Sequence, residues 1–176
     1  MGRLIQKKAS ILTERLTLKP YSLSDTDRLV DLLTNRRITQ TFIIPDFETE
    51  AQARAFAEKL IRFSQIDDVR HLEYGIYKQG CLIGFINDCG IEEDSIEIGY
   101  VIHPDEQGHG YATEAIRAIF HELREMGFKK VTAGFFPENL ASRRVMEKCG
   151  MKQSELISEE KYRGVLHQCL YYEICF

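Results

Sequence analysis

Residues 95–115 read Ser95-Ile96-Glu97-Ile98-Gly99-Tyr100-Val101-Ile102-His103, then Pro104-Asp105-Glu106, then Gln107-Gly108-His109-Gly110-Tyr111-Ala112-Thr113-Glu114-Ala115. The first run alternates Ile96, Ile98, Tyr100 and Ile102 against Glu97, Gly99, Val101 and His103, the period of a strand. Pro104-Asp105-Glu106 breaks it. Beyond the glycines, Ala112, Ala115, Ile116, Ile119, Phe120, Leu123 and Met126 recur at helical spacing until Gly127. A glycine-rich turn therefore joins a strand end to a helix start. With no side chains at Gly108 and Gly110, several main-chain N–H groups can converge on one point, where the helix dipole adds partial positive charge. Two readings are open: a turn built to hold an anion such as phosphate, or a tight connection that binds nothing.

The common nucleotide patterns fit poorly. A Walker turn requires Lys-Ser or Lys-Thr after the last glycine, and Tyr111-Ala112 stands there. The dinucleotide pattern fails at its third glycine, replaced by Thr113, and Val131 and Thr132 occupy the place of the ribose-binding acid.

Outward from this unit, Leu72 to Tyr77 and Cys81 to Ile86 read as a hairpin about Lys78-Gln79-Gly80. Cys89 to Asp94 reads as a second turn leading into Ser95–His103, which makes an antiparallel meander. Lys129 to Phe135 is a further strand, expected parallel to Ser95–His103 through a right-handed crossover. A helix from about Glu138 to Lys148 follows Pro137 and ends at Gly150. Strands Met151 to Ser158 and Leu166 to Phe176 close the chain around Tyr162-Arg163-Gly164. Toward the N-terminus, Arg15 to Lys19 is a strand ended by Pro20, and Ser24 is the expected N-cap of a helix through Leu29, Val30, Leu32 and Leu33. Asn35 to Glu48 is irregular, with room for a short helical turn. Thr49 and Gln52 form a capping box opening a helix with Ala53, Phe56, Ala57, Leu60 and Phe63 on its apolar face. The fold class expected is mixed α/β: a mostly antiparallel sheet, helices on both faces, and one parallel β-α-β unit carrying the turn.

A length of 176 residues with 44% hydrophobic content fits a single domain, 1–176, with a sizeable core. No apolar run reaches membrane-spanning length, and Met1 to Ser10 is polar and basic rather than signal-like. Gly2 is not followed by a myristoylation pattern, because Gln6 stands where Ser or Thr is needed. A soluble, cytoplasmic protein is expected, with no membrane partner. Cys81, Cys89, Cys149, Cys169 and Cys175 form no C-x-x-C pair, and His71, His103, His121 and His167 show no ligand spacing, so neither a disulfide framework nor a metal site is expected. The net charge of −4 argues against nucleic acid and is compatible with a basic substrate.

Gln107, Gly110 and Ala112 match the Q/R-x-x-G-x-G/A signature of the GNAT superfamily of N-acetyltransferases. The run from Glu97-Ile98-Gly99-Tyr100 through Ala112-Thr113-Glu114-Ala115 resembles the branch containing ribosomal-protein N-terminal acetyltransferases. Asn139-Leu140-Ala141-Ser142 with Met146 to Met151 resembles a second block of that branch, and Thr13-Glu14-Arg15-Leu16-Thr17-Leu18 its opening strand. The resemblance implies that the two parallel strands splay apart and admit the pantetheine of acetyl-coenzyme A. It also implies cofactor contacts from Ile102, Gln107, Gly108, His109, Gly110, Tyr111 and Ala112, with Asn139 on the pantetheine arm.

Amide formation from a thioester needs a deprotonated amine and a stabilised thiolate. Glu97 is the one carboxylate inside the strand that feeds the turn; it reads as the general base, directly or through a water, or as an ordinary ion-pairing glutamate. Ser142, three residues after Asn139, shares its helical face. By resemblance Ser142 donates a proton to the departing thiolate, because the tyrosine many members carry seven residues after the asparagine is Met146 here. Asn139 and Ser142 equally suit a helix cap and a plain hydrogen bond. Gln168 replaces an aspartate usual in the branch, whereas Tyr172 matches its tyrosine. The activity implied is transfer of an acetyl group to a primary amine, a protein N-terminus or a small molecule, in a ternary complex; the alternative is a non-catalytic acyl-coenzyme A binding module. The apolar terminal stretch Leu170 to Phe176 reads as an open sheet edge, from which a homodimer is expected.

Overall fold

The computed structural model describes residues 5–66, 68–69 and 71–176, so the reading of Gly2 lies outside the described residues. In chain order the elements are β1 (Ile5–Gln6), β2 (Ile11–Leu12), β3 (Thr17–Lys19), α1 (Thr26–Thr34), α2 (Arg36–Thr39), α3 (Glu50–Ser64), β4 (Asp68–Val69), β5 (Glu73–Lys78), β6 (Cys81–Glu92), β7 (Ser95–Ile102), α4 (Tyr111–Glu125), β8 (Lys130–Phe135), α5 (Leu140–Lys148), β9 (Lys152–Tyr162) and β10 (Val165–Cys175). Single 3₁₀ turns precede α1 and α4, at Leu23–Asp25 and Pro104–Glu106.

Eight strands form one sheet in the order β2-β3-β5-β6-β7-β8-β10-β9, while β1 pairs with β4 apart from it. Among the described residues β7–β8 is the parallel pair and the other neighbours are antiparallel. A right-handed crossover through α4 is the ordinary way to join such a pair. Two of the hairpin turns, Gln79-Gly80 and Arg163-Gly164, are the two-residue kind with both residues at positive φ. That twist matches the strands they join.

The alternation in β7 holds along its whole length. Ile96, Ile98 and Ile102 enter one core with Ala115, Ile116, Ile119 and Leu123 of α4 and Met146 of α5. Val101 enters the other core, with Leu29, Leu32 and Leu33 of α1, Ile38 of α2, and Ala53, Ala57 and Ile61 of α3. Each fully buried Ile or Leu contributes about 1.5–3 kcal/mol, so the two clusters fix which face of the sheet each helix covers.

Four local expectations are corrected. The stretch Cys89 to Asp94 is not a turn: β6 continues to Glu92, and the reversal is confined to Glu93-Asp94. The ladder steps from Asp88↔Ile98 to Gly90↔Glu97, so Cys89 is an extra residue in a bulge that lets the strand run on. Ser24 does not cap α1. Ser22 heads the preceding 3₁₀ turn in a capping box with Asp25, because the chain leaving Tyr21 tightens one turn earlier. The buried face of α3 is Ala53, Ala57, Ile61 and Ser64, with Phe56 and Leu60 half-buried and Phe63 at the rim. Phe56 and Leu60 still pack against the core, whereas Phe63 is exposed. Finally, β10 is not an edge: it lies between β8 and β9, so the outer strand is β9.

At the start of β5, the carboxyl of Glu73 accepts a hydrogen bond from the Tyr21 hydroxyl at 2.7 Å. Burial, with a smaller contribution from Asp88, pushes Glu73 from 4.5 up to about 7, against the opposing Tyr21 hydrogen bond and Lys7. Between those values the folded chain holds a proton that the unfolded chain has released, so stability falls as pH rises through that window. The loss is on the order of 3 kcal/mol. Glu73→Gln keeps the acceptor for Tyr21 and removes the charge. Its melting temperature is expected to exceed that of the unmodified protein at pH near 8 and to match it near 5; thermal unfolding at both values checks this, and equal melting at both would contradict it.

Candidate functional site

The parallel ladder between β7 and β8 has three pairs, Ser95↔Lys130, Ile96↔Val131 and Glu97↔Thr132. Beyond Glu97 the strands part, while β8 stays paired with β10 up to Phe135↔Leu170. The gap opens into a cleft of about 510 Å³, lined by Gly99, Tyr100 and Val101 of β7, by Gly134 of β8, and by the turn and α5. A larger residue at Gly134 would force its neighbours to shift, because a Cβ there would meet the Tyr171 ring at 2.9 Å and the Cys169 sulfur at 3.0 Å.

The glycine-rich turn stands at the mouth of this cleft. His103 follows β7, buried, with its Nε2 3.0 Å from Asp31 and its Nδ1 accepting the Asp105 N–H. Gln107 Nε2 donates to the Ile102 carbonyl at 2.9 Å, which ties the turn back to the strand. Gly108 and Gly110 adopt φ of +81° and +82°, a conformation that disfavours any side chain. Gly110 is the N-cap of α4 and supplies no capping side chain. The first N–H groups of a helix have no intrahelical acceptor, so here they are left to a ligand, in the field of the helix dipole. The Tyr111 ring stacks on His109 at 5.6 Å and lies beneath Arg15 at 4.7 Å and Lys78 at 5.2 Å. Lys78 Nζ also meets Glu106 Oε2 at 2.6 Å. The arrangement suits a polyanionic group such as a pyrophosphate.

On the opposite wall, Asn139 is the N-cap of α5; its Oδ1 accepts the Ser142 N–H at 3.1 Å. That geometry leaves the Asn139 amide hydrogens for a partner in the cleft. The Ser142 hydroxyl lies 2.7 Å from the Tyr100 hydroxyl, which is also 3.0 Å from the Ser142 carbonyl oxygen. Tyr100 has one proton to give. Given to the carbonyl, it leaves the serine donating to Tyr100; given to Ser142 Oγ, it frees the serine proton for a third partner. Burial raises the Tyr100 pKa well beyond its ordinary value, so the phenol stays a donor. Met146, at the vacant tyrosine position, is buried in the core.

Glu97 lies on the other face of β7 from Tyr100. Burial, and secondarily the Glu160 carboxylate, push it above the ordinary carboxylate value. Its charge is felt by Cys89, Cys169 and Tyr171, which places these groups around it. Gly99 next to it admits Phe42, Asn87 and Cys89, each about 3.0–3.1 Å from where a Cβ would sit. Among the described residues, Asn87 Oδ1 is buried there without a hydrogen-bond partner.

Of the residues singled out in sequence, Ile102, Gln107, Gly108, Gly110, Tyr111, Ala112, Asn139 and Ser142 line the cleft together. The His109 side chain is exposed on the outside of the turn, and Glu97 is outside the cleft lining. Two residues escaped sequence reasoning. Tyr100 was hidden in an apolar alternation, where its hydroxyl tip among isoleucines was the available signal. Arg15, whose Nη1 donates to the His109 carbonyl at 3.0 Å, carried no local signal at all. Among the described residues no group of three or more His, Cys, Asp or Glu could hold a metal ion.

The sequence signature of the family described as acetyltransferase (GNAT) domain matches residues 15–152. An uncharacterized N-acetyltransferase of Bacillus subtilis (strain 168), YnaD, is 31% identical over 147 residues, spanning 81% of this chain and 82% of its own. RimL, the ribosomal L7/L12 α-N-protein acetyltransferase, superposes with a TM-score of 0.80 over 99% of this chain and 100% of its own, at 20% identity. The microcin C7 self-immunity acetyltransferase MccE, solved with acetyl-CoA and AMP, gives a TM-score of 0.77 over 93% of this chain and 94% of its own, at 21% identity. At such identities these two structures speak for the fold alone.

Proposed function

Because the chain belongs to the GNAT acetyltransferase family, whose signature covers residues 15–152, we propose that it transfers an acetyl group from acetyl-coenzyme A to a primary amine by direct attack in a ternary complex. The observation that supports this best is the parting of β7 and β8 after Glu97↔Thr132, which opens a cleft onto the uncapped N-terminus of α4. The residues present fit the cofactor. The N–H groups of Gly108 to Ala112 receive the pyrophosphate, with Ile102 and Gln107 holding the turn and His109 contributing main chain. The Asn139 amide hydrogens are directed to the pantetheine arm, since its oxygen is already used by Ser142. Acetyl-coenzyme A supplies an acyl group activated as a thioester.

In this reading Glu97 accepts the proton of the amine. Because it stands outside the cleft lining, the transfer runs through a water or an acceptor bound on the Cys89–Tyr171 side. Ser142 donates to the departing thiolate, and Tyr100 orients it by giving its own proton to Ser142 Oγ. The acceptor is a protein N-terminus, the substrate class in RimL's name, or a small-molecule amine. A cytoplasmic location belongs to the same reading, as all five cysteines are free thiols.

Acetyl-coenzyme A is expected to raise the melting temperature, and Gly110→Val to abolish that rise, since a side chain at φ +82° forces the turn open. A panel of amines and peptides read by free-thiol release is expected to show turnover with at least one. Stabilisation without thiol release from any amine would make the protein a binding module instead.

Glu97→Gln is expected to keep cofactor affinity while lowering turnover roughly 10²–10⁴-fold, with activity returning as pH rises and more of the amine arrives deprotonated. The raised pKa of Glu97 sets the ascending limb of the unmodified enzyme above the ordinary carboxylate range. Ser142→Ala is expected to respond less to alkaline pH, because its defect concerns the leaving thiolate. Unchanged turnover of Glu97→Gln at every pH would remove it from the mechanism.

The proposed homodimer moves to a new surface. Among the described residues the outer edge of β9 has no strand partner, and Leu156 and Ile157 on it are exposed. Light scattering at micromolar concentration is expected to give a dimer mass that Leu156→Lys with Ile157→Lys reduces to the monomer; a monomeric unmodified protein would refute it.

A further inference from the structure

In sequence Thr13-Glu14-Arg15-Leu16 resembles only the start of an opening strand, yet its side chains converge on α4 across about a hundred residues. Glu114 sits in the first turn of that helix. Its Oε1 accepts from the Thr13 hydroxyl at 2.6 Å and from the Arg15 main-chain N–H at 2.8 Å. Its Oε2 lies 2.7 Å from both Arg15 Nε and Arg15 Nη2, a forked pair in which the carboxylate side chain is 16% exposed. The third guanidinium nitrogen, Nη1, donates to the His109 carbonyl at 3.0 Å, and the group lies 4.7 Å from the centre of the Tyr111 ring. Arg15 thus grips the turn at residues 109, 111 and 114 without lining the cleft itself.

Two physical consequences follow from these contacts. A peptide unit points its C=O and its N–H in opposite directions. With the His109 carbonyl drawn toward Arg15 behind the turn, the N–H of Gly110 is directed away from Arg15, to the side where Gly110 lines the cleft. The second consequence is electrostatic. A carboxylate in the first turn stabilises a helix, but it opposes an anion bound at the same N–H groups. A forked guanidinium–carboxylate pair removes most of that opposing charge and keeps the structural tie.

We propose that Arg15 is a positioning residue for the phosphate turn, orienting the His109–Gly110 peptide and cancelling the charge of Glu114, an inference that rests on the turn holding the pyrophosphate of coenzyme A. A purely structural strut and a charge-cancelling one differ in what Glu114→Gln does. A strut is weakened by the substitution, so affinity drops. If Arg15 is there to cancel charge, Glu114→Gln leaves the cation unopposed, and coenzyme A binds as tightly as before or tighter.

Calorimetric titration with coenzyme A would be run on the unmodified protein, Arg15→Ala, Arg15→Lys, Glu114→Gln and the double variant Arg15→Ala/Glu114→Gln. Arg15→Ala is expected to weaken binding about tenfold, and the double variant to recover about half of that loss on a logarithmic scale. Arg15→Lys, which keeps charge but not the fork, falls between. Turnover at saturating acetyl-coenzyme A is expected to stay within about twofold, so the effect appears in KM rather than kcat. Binding by Arg15→Ala equal to the unmodified protein, no recovery in the double variant, or weaker binding by Glu114→Gln would each overturn the proposal. Should Arg15→Ala fail to fold, Glu114→Gln alone decides it. An unmodified protein that does not bind coenzyme A would overturn the cofactor reading and this inference with it, whereas normal binding with an indifferent Arg15 overturns only the inference.

Discussion

The parallel contact between β7 and β8 is short, three residue pairs ending at Glu97↔Thr132, and the rest of the molecule is arranged around that limit. Two strands in one sheet that part company leave main-chain groups without partners, and such groups need another donor or acceptor. The sheet tolerates the gap because each strand is held on its other side: β7 by β6 along eight pairs from Gly84 to Glu92, and β8 by β10 along six. The cleft is therefore framed on these two sides by strands that are each hydrogen-bonded along their other edge. Glycines at Gly99 and Gly134 keep its walls clear where other side chains crowd in from behind.

Charge is distributed to match. The N-terminus of α4 faces the cleft with its N–H groups uncapped, and Arg15 and Lys78 flank the Tyr111 ring just behind it. Both cations are paired, with Glu114 and Glu106, so the region carries directed dipoles more than net charge. This suits a ligand that must be gripped and then released. The Tyr100–Ser142 pair and the Glu97 carboxylate lie on opposite faces of β7. Tyr100 and Ser142 lie on the α5 side, and Glu97 lies on the opposite face among Cys89, Cys169 and Tyr171. One strand thus presents a hydroxyl to the cleft and, on its other face, a carboxylate outside the cleft lining.

The β9–β10 hairpin is held against the rest of the fold by residues distant in sequence. The Tyr162 hydroxyl donates to the Thr39 carbonyl at 2.8 Å, and Arg163 meets Asp46 at 2.9 Å. These contacts tie the β9–β10 hairpin to the irregular stretch after α2.

The period of β7, the glycine turn, the amphipathic helix after it and the β5–β6–β7 meander were all legible in the sequence, because each depends on residues near one another along the chain. Local chemistry decides them: alternation buries one side of a strand, and positive φ at Gly108 and Gly110 requires glycine wherever the turn occurs. The same local logic went astray where a neighbour intervened, as when the bulge at Cys89 extended β6 through an acidic stretch and when β9 covered the apolar β10. What tertiary structure alone decided is where β7 and β8 separate and which groups meet across the chain. Arg15 reaches Glu114 over 99 residues and Tyr100 reaches Ser142 over 42. Neither pairing has a sequence spacing, since both are set by how α4 and α5 pack on the sheet, and that packing is a property of the assembled core.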